Sequence, residues 1–417
     1  ALESNLSNFT KTATTSNFIA GASGDFNNNT VAQNSFMTTG NWSSPGNWSL
    51  GVVPTQIENA FIDENQTVTI DVDDLEMNEL ELGANATLNI PVNKEITVNN
   101  SFISNGNLSL NSDKNDAGVL LLNGTTSGTI TYKRGGLIAN EWYIVTPPVA
   151  GQTIKNFAEN AGNDIRINTI PDPDRYAIAT YDDALAAGSK WVYYDTSVSA
   201  SDEFIAGQSY SMSRATDGEV TFTGTLAVND LVKTMIAGQW NAIGNPFTTY
   251  YPANKNSSSS FLNDNISVLD ANFPSLYIWD DTQSKYVAVT ELDASNRSLP
   301  PGQGFFVKMK AGETEISFQK DKRSTKPSSG DTGFQKTNQQ PSITLQVSKG
   351  KTTVSTDIKY FENATTGFDA GFEIGNFNSS GLDIYTHLVD KSNTNNYTIQ
   401  SLPTNNYENM VIPIGIK

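Results

Sequence analysis

The sequence predicts an all-β protein, and three observations predict it. Short runs rich in Val, Ile, Thr, Tyr and Phe recur along almost the whole chain. Clusters of Asn, Gly, Asp and Ser separate them, and these residues suit tight corners. Helical periodicity is confined to residues 153–160 and 182–187, each with room for a turn or two. The expected architecture is a short parallel β-solenoid, then duplicated β-sandwich modules, then a C-terminal β-sandwich.

Residues 1–40 are rich in Asn, Ser and Thr with scattered Phe, and read as an extended arm or the end of a preceding domain. The pattern changes at the tandem Asn41-Trp42-Ser43 and Asn47-Trp48-Ser49. Residues 41–133 then carry short strand pairs: Val68-Thr69-Ile70, Ala86 to Ile90, Ile96-Thr97-Val98 with Leu108-Ser109-Leu110, and Val119 to Leu122 with Thr129-Ile130-Thr131. Asn-Gly or Gly-Ala-Asn corners recur between them at similar spacing. Such runs suit roughly four coils of a solenoid, each stacking its apolar face on the next. An antiparallel sandwich with tight hairpins is the alternative. Trp42 and Trp48 are the expected plugs of one solenoid end, which a solenoid needs in order to cover its last apolar face.

Residues 134–320 contain a duplication. Trp142-Tyr143-Ile144-Val145 parallels Trp240-Asn241-Ala242-Ile243, Gly207-Gln208-Ser209-Tyr210 parallels Gly302-Gln303-Gly304-Phe305, and Val220-Thr221-Phe222 parallels Ile316-Ser317-Phe318. These offsets are 98, 95 and 96 residues. A fourth match sets Trp191-Val192-Tyr193 against Tyr277-Ile278-Trp279, with an offset shorter by roughly ten residues. Agreement of order and spacing implies two copies of one β-module, at 134–235 and 236–320, either separate or joined as one domain. Residues 321–340 lack apolar periodicity and read as a linker. The C-terminal unit, 341–417, shows alternation in Ile343-Thr344-Leu345-Gln346-Val347.

Composition removes several chemistries. With no cysteine there is no disulfide framework, thiol nucleophile or thiolate metal site. The single histidine, His387, leaves triads and His-based zinc sites without their usual member, and it reads as a strand or turn residue. A formal net charge of −18 argues against nucleic acid and anionic lipid as partners. No apolar run is long enough to insert in a membrane as a helix. The first fifteen residues have no basic start and no apolar stretch, so the expectation is a processed form or a fragment. The strand-like ending at Ile412 to Lys417 is expected to have continued into further chain.

Several phrases resemble the large surface proteins of Bacteroidota that leave the cell by the type IX secretion system. They are Asn41-Trp42-Ser43-Ser44-Pro45-Gly46-Asn47-Trp48 with Gly51-Val52-Val53-Pro54, Ile243-Gly244-Asn245-Pro246-Phe247, and Leu299-Pro300-Pro301-Gly302-Gln303-Gly304-Phe305-Phe306-Val307. Thr366-Gly367-Phe368-Asp369-Ala370-Gly371 and Tyr397-Thr398-Ile399-Gln400-Ser401-Leu402-Pro403 add to them. The resemblance covers about residues 41–417. It implies export, an extracellular or cell-surface location and the secretion machinery as a partner. In that group a C-terminal sorting domain follows the last module, and the expectation is that this sequence stops before it. It says little about activity, because such regions accompany adhesins, gliding-motility proteins and enzymes alike.

The candidate sites are modest. Asp71, Asp73, Asp74 and Glu76 cluster beside one coil, and Asp113, Asn115 and Asp116 share an Asn-rich corner. Solvated loops are the plain reading; calcium on Asp71, Asp73, Asp74, Asp113 or Asp116 is the functional one. Neither cluster matches a known calcium-loop spacing. Trp191, Tyr193, Tyr277 and Trp279 recur in both copies, which favours packing over exposed platforms for sugar rings. The Asn-x-Ser/Thr sequons at Asn41, Asn47, Asn85 and Asn123 follow from the richness in those residues. No residue is assigned to catalysis and no cofactor beyond calcium is implied. The expectation is a non-catalytic structural or adhesion segment in contact with glycans or other surface proteins. A polysaccharide-active enzyme working with paired carboxylates, or an accessory region of one, is the rival.

Overall fold

The computed structural model describes residues 33–186, 189–254, 259–280, 285–291, 293, 296–328, 333–334, 342–350, 352–361, 364–369, 373–376, 382–405 and 409–417. Most of the predicted arm, part of the predicted linker and Pro341 lie outside them. The fold is all-β and opens with a parallel solenoid of about five turns. One wall of the solenoid is β1 (Gln33–Phe36), β3 (Asn59–Ile62), β5 (Leu75–Leu82), β7 (Glu95–Ser104) and, both beside β7, β9 (Val119–Leu122) and β10 (Thr125–Ser127). The other is β2 (Gly40–Asn41), β4 (Thr67–Thr69), β6 (Thr87–Ile90), β8 (Asn107–Ser112) and β11 (Ile130–Leu137). Strand β1 pairs parallel with β3, so the described solenoid includes Gln33–Phe36 as well as the residues from Asn41 onward.

The coils stack because apolar residues recur in register. Val68, Leu88, Leu108 and Ile130 pair in sequence along one wall, and all four are buried. On the other wall Ala60, Leu80 and Phe102 do the same. Asn65, Asn85 and Asn93 turn corners in the left-handed conformation that Asn tolerates. Asn59, Asn78 and Asn100 pass amide hydrogen bonds from coil to coil along one flank. Gly124 is required by close approach: a Cβ there would lie 1.5 Å from the carbonyl oxygen of Asn100. Trp42 and Trp48 fill the first coil, with ring centroids 4.6 Å apart, and the Trp48 indole N–H donates to the Trp42 carbonyl at 2.9 Å.

The first module follows: β12 (Tyr143–Val145), β13 (Val149–Ala150), α1 (Ile154–Glu159), β14 (Ile167–Asn168), β15 (Arg175–Tyr181), β16 (Trp191–Asp195), β17 (Tyr210–Met212) and β18 (Gly218–Leu226). It does not start afresh after the solenoid. Strand β18 pairs antiparallel with β11 and so extends the solenoid wall, with β13 at its far edge. The sheet β12-β17-β15-β14 covers this extension, and Val145, Ile178, Tyr210 and Met212 share one core with Ile130, Val220 and Phe222. Helix α1 is the one expected near residue 153, capped by the Thr153 hydroxyl. Residues 182–186 form a turn rather than the second expected helix. There the Asp182 carboxylate accepts the Ala184 N–H, a local bond that competes with helix.

The second module holds β19 (Leu231–Thr234), β20 (Trp240–Gly244), β21 (Tyr251–Pro252), α2 (Phe261–Asn265), β22 (Leu276–Asp280), β23 (Lys285–Val289), β24 (Ser298–Leu299), β25 (Gly304–Lys308) and β26 (Glu315–Phe318). Sheet β20-β25-β22-β23 faces the pair β19-β26 across its own core. The duplication holds in three dimensions, with one change of partner. Hydrogen-bond order equates β15 with β22 and β16 with β23. Thus Tyr181 matches Trp279 and Trp191 matches Tyr286, and the short fourth offset disappears. The cross-strand pairs agree: Tyr181 opposes Trp191, and Trp279 opposes Tyr286. Their rings meet edge-on at 5.1 and 5.0 Å. A buried asparagine is repeated as well. Asn163 bonds the Phe157 carbonyl and the Thr221 amide; Asn265 bonds the Phe261 carbonyl and the Ser317 amide.

The C-terminal unit is a mixed sheet of β27 (Ser342–Lys349), β28 (Thr352–Phe361), β29 (Ile374–Gly375), β30 (Ile384–Thr386), β31 (Tyr397–Pro403) and β32 (Ile414–Ile416). Strands β28 and β31 run parallel at its centre. Ile399 of this sheet packs on Trp240, Tyr277, Ala288 and Phe306 of the second module.

Candidate binding pocket

Equivalent segments of the two modules meet face to face. The Thr146 N–H donates to the Gly302 carbonyl at 3.0 Å, and the Gly244 N–H donates to the Gly207 carbonyl at 3.1 Å. Thr146 is the counterpart of Gly244, and Gly302 of Gly207, so the pair of bonds is reciprocal. Bridges Val145–Gln303 and Gln208–Ile243 repeat the relation. The modules are thus joined about a pseudo-two-fold axis, as in an isologous dimer within one chain. The approach is close: a Cβ on Gly244 would lie 2.1 Å from the Thr146 hydroxyl and 2.3 Å from the Gln303 carbonyl. The last coil holds the second module too, through the Tyr132 hydroxyl on the Pro301 carbonyl and the Leu120 N–H on Thr248.

A small cleft with a cavity volume of about 30 Å³, open on one side, lies where the three units converge. Lys114, Arg134 and Gly136 come from the end of the solenoid, Tyr143 and Ile144 from β12, and Trp279 and Gln303 from the second module; Phe334 closes one side. Arg134 is buried beneath Phe334, its guanidinium carbon 3.6 Å from the ring centroid, and donates to the carbonyls of Asp113 and Gly135. Gln303 is 5% exposed; its Nε2 donates to the Gly304 carbonyl at 2.7 Å, and its Oε1 accepts no hydrogen bond from the described residues. None of the lining side chains carries a carboxyl group.

The pseudo-symmetric position is closed. Tyr181, the counterpart of Trp279, meets Phe306 edge-on at 4.7 Å. Phe306 opposes Tyr277 across the sheet, as Ser211 opposes Ala179 in the first module. Ser211, the counterpart of Phe306, has no ring to offer Trp279. Gln208, the counterpart of Gln303, accepts from Lys233 Nζ at 3.5 Å.

The acidic residues named from sequence are scattered among separate partners. Asp71 binds the Ser43 hydroxyl and amide at 2.5 and 2.9 Å. Burial alone would raise its carboxyl, but these bonds outweigh it and hold it below the usual range. Asp73 pairs with Lys94 at 2.6 Å, Asp113 caps the turn at Asn115 and Asp116, and Asp116 pairs with Lys326 at 2.5 Å. Asp74 faces Glu95, whose carboxyl burial and then Asp74 push up to about 7. Among the described residues no group of three or more His, Cys, Asp or Glu side chains gathers to hold a metal ion. The predicted linker is laid against the solenoid where it is described: Lys326 gives its N–H to Glu95 and its ammonium to Asn93 and Asp116.

The recurring aromatics divide. Tyr277 is buried, while Trp191 is half-buried against Tyr181 and Phe306. Tyr193 is exposed beside Trp142, and Trp279 lines the pocket. His387 holds the Asn395 carbonyl through Nδ1, a strand-edge contact. The pocket escapes sequence reasoning because its residues come from six separate stretches; only Trp279 and the Gly302-Gln303-Gly304 phrase stand out in the linear text.

A family model described as Domain of unknown function (DUF8693) matches residues 35–417, from the first coil to the last strand. The chain belongs to that family. No curated protein and no solved structure matches it. The match spans the solenoid, both modules and the C-terminal sheet together.

Proposed function

We propose that this chain is a non-catalytic segment of an exported surface protein, a rigid spacer that also contacts glycans. The observation that carries this reading is the strand-sharing between units. Because β18 completes both the solenoid wall and the first module, the two move as one body. The reciprocal contact then fixes the second module to the first. Such a body suits holding a binding surface at a set distance. The phrases shared with type IX secretion cargo support export and the secretion machinery as a transient partner. Placement on the cell surface, adhesion and a role beside gliding motility belong to the same proposal. The test is a glycan array probed with the chain, in calcium and then in chelator. Binding to defined glycans supports the adhesive role, and loss in chelator adds calcium to it. A blank array in both conditions removes glycan contact.

One observation favours the rival, an enzyme of polysaccharides. Glu95 carries a raised carboxyl beside Asp74 and Asp73, as a proton-donating carboxylic acid requires. An assay for new reducing or unsaturated ends, with Glu95→Gln as control, decides it. Turnover lost in that variant establishes the enzyme, and no turnover on any polysaccharide on the array dismisses it.

A further inference from the structure

Glycan contact, as proposed above, leaves both the site and the kind of glycan open. Building on that reading, we propose that the outer face of the first module, at Trp142 and Tyr193, binds the apolar ring faces of a neutral, β-linked polysaccharide chain.

The pseudo-two-fold relation brings this face out. In the second module one row of register partners crosses the sheet: Ala242, Phe306, Tyr277 and Ala288. Trp240 packs edge-on against Tyr277 at 4.9 Å, and Ile399 of the C-terminal sheet packs on this row. The equivalent row of the first module is Ile144, Ser211, Ala179 and Tyr193, with Trp142 in the place of Trp240. Its sizes are inverted, with large residues at the flanks and small ones at the centre. Trp142 and Tyr193, from β12 and β16, reach across the two strands between them; their ring centroids lie 5.7 Å apart with the planes at 65°. Both modules thus carry an aromatic surface at the same place. The second is covered, with Tyr277 buried and Trp240 9% exposed, whereas Tyr193 is 37% exposed and Trp142 half-buried. The open surface runs on from the covered one, since Ile144, Tyr181 and Trp191 pack against the Ile399 cluster.

The chemistry of the open surface suits a sugar better than a second sheet. Ile399 meets an apolar cluster, but Trp142 Nε1 and Tyr193 Oη have no hydrogen-bond partner among the described residues, so a dry partner would strand them. Rings with an apolar body and a polar tip hold the C–H face of a pyranose while its hydroxyls turn to polar neighbours. Asp195 is such a neighbour: it lies two residues along β16, on the same face as Tyr193, and is the register partner of the exposed Arg175. A carboxylate and a guanidinium offer hydroxyls an acceptor and a donor, and their charges cancel. The net charge of −18 turns polyanions away, which leaves a neutral chain as the ligand. β-Linked glucose carries its substituents equatorially, so C–H bonds cover both ring faces. An open face takes such a chain lengthwise and needs no cavity.

The experiment titrates the chain with cellohexaose and, in parallel, with the acidic hexagalacturonate, by calorimetry and tryptophan fluorescence. Cellohexaose is expected to bind, and the acidic hexamer to bind about tenfold more weakly or not at all. Tyr193→Ala, at an exposed position, is expected to weaken cellohexaose by about tenfold while the melting temperature stays put. Tyr193→Phe keeps the ring and should retain most of the affinity. Trp142→Ala should weaken binding and remove most of the fluorescence change. Full affinity in a folded Tyr193→Ala protein overturns the proposal, as does tighter binding of the acidic hexamer. Self-association in sedimentation that Tyr193→Ala abolishes, with no sugar bound, also overturns it and gives the face to a second copy of the chain. A positive glycan array with these variants unaffected retires the face and keeps glycan contact. An array blank for neutral and acidic glycans alike retires both.

Discussion

Replacing Asn265 with alanine should destabilise the second module, and replacing Asn163 should do the same to the first. Asn265 is 3% exposed and ties three backbone groups: its Nδ2 donates to the carbonyls of Phe261 and Ser317 at 2.8 and 3.1 Å, and its Oδ1 accepts the Ser317 N–H at 3.0 Å. It is therefore the peg between α2 and β26. Asn163, fully buried, repeats the arrangement with Phe157 at 2.9 Å and the Thr221 N–H at 2.8 Å, and its third bond is longer at 3.5 Å. Two to three bonds at about 1 kcal/mol each, together with carbonyls left buried and unpaired, give a loss of about 2–4 kcal/mol per site. The assay is amide hydrogen exchange alongside urea unfolding. Protection at Ser317 should fall by about 100-fold in Asn265→Ala, since 1.4 kcal/mol is a factor of ten. Solenoid amides such as Leu88 should keep theirs. Asn265→Asp should not rescue, because it restores the acceptor but loses the donor and buries a charge. A loss below about 0.5 kcal/mol at both sites would refute the reasoning, since that is the range of substitutions that touch nothing.

Trp48→Ala at the solenoid end removes a 2%-exposed ring packed edge-on against Phe36 and Trp42, and should cost about 3–5 kcal/mol, read as earlier melting of the solenoid. Gly244→Val should part the modules, because even a Cβ falls within 2.3 Å of two oxygen atoms; small-angle scattering and limited proteolysis should both report a looser body. For pH, the Glu95 carboxyl is raised to about 7 in the folded chain, so the folded state holds that proton more tightly than the unfolded state does. The stability this adds is complete below about 4.5 and is lost as pH rises through about 7; after solvent screening it amounts to about 1 kcal/mol. Glu95→Gln should flatten that decline in a urea series run between pH 4 and 8, and an unchanged slope would assign it to another group.

The solenoid was legible because each coil repeats its own chemistry. Val68, Leu88 and Leu108 lie 20 residues apart and are register partners, so linear spacing and spatial stacking coincide. The module duplication was legible for the same reason wherever loop lengths match. It misled at Trp191, because aromatic content alone drew that strand to Tyr277. The Tyr181-Asp182-Asp183 and Trp279-Asp280-Asp281 phrases were the better guide, since both carry the offset of 98. The reciprocal contact and the pocket were not legible. They depend on how two sandwiches face each other, and on the exchange of Phe306 for Ser211, which matters only once Tyr181 and Trp279 are known to be counterparts. Helix α2 escaped because its apolar residues, Phe261 and Leu262, are adjacent rather than spaced by a turn.

The shared strand also sets a timetable for synthesis. When Leu137 leaves the ribosome, the last coil presents β11 as an open edge, and its rightful neighbour β18 begins only at Gly218. At ~5–20 residues per second the wait is on the order of ten seconds. Throughout it, Ile130 to Leu137 offers unpaired N–H and C=O groups to any strand nearby, including the same edge of another nascent chain. Lys133 and Arg134 sit on that edge, and two adjacent cations there discourage a mismatched or self-paired partner until the right one arrives.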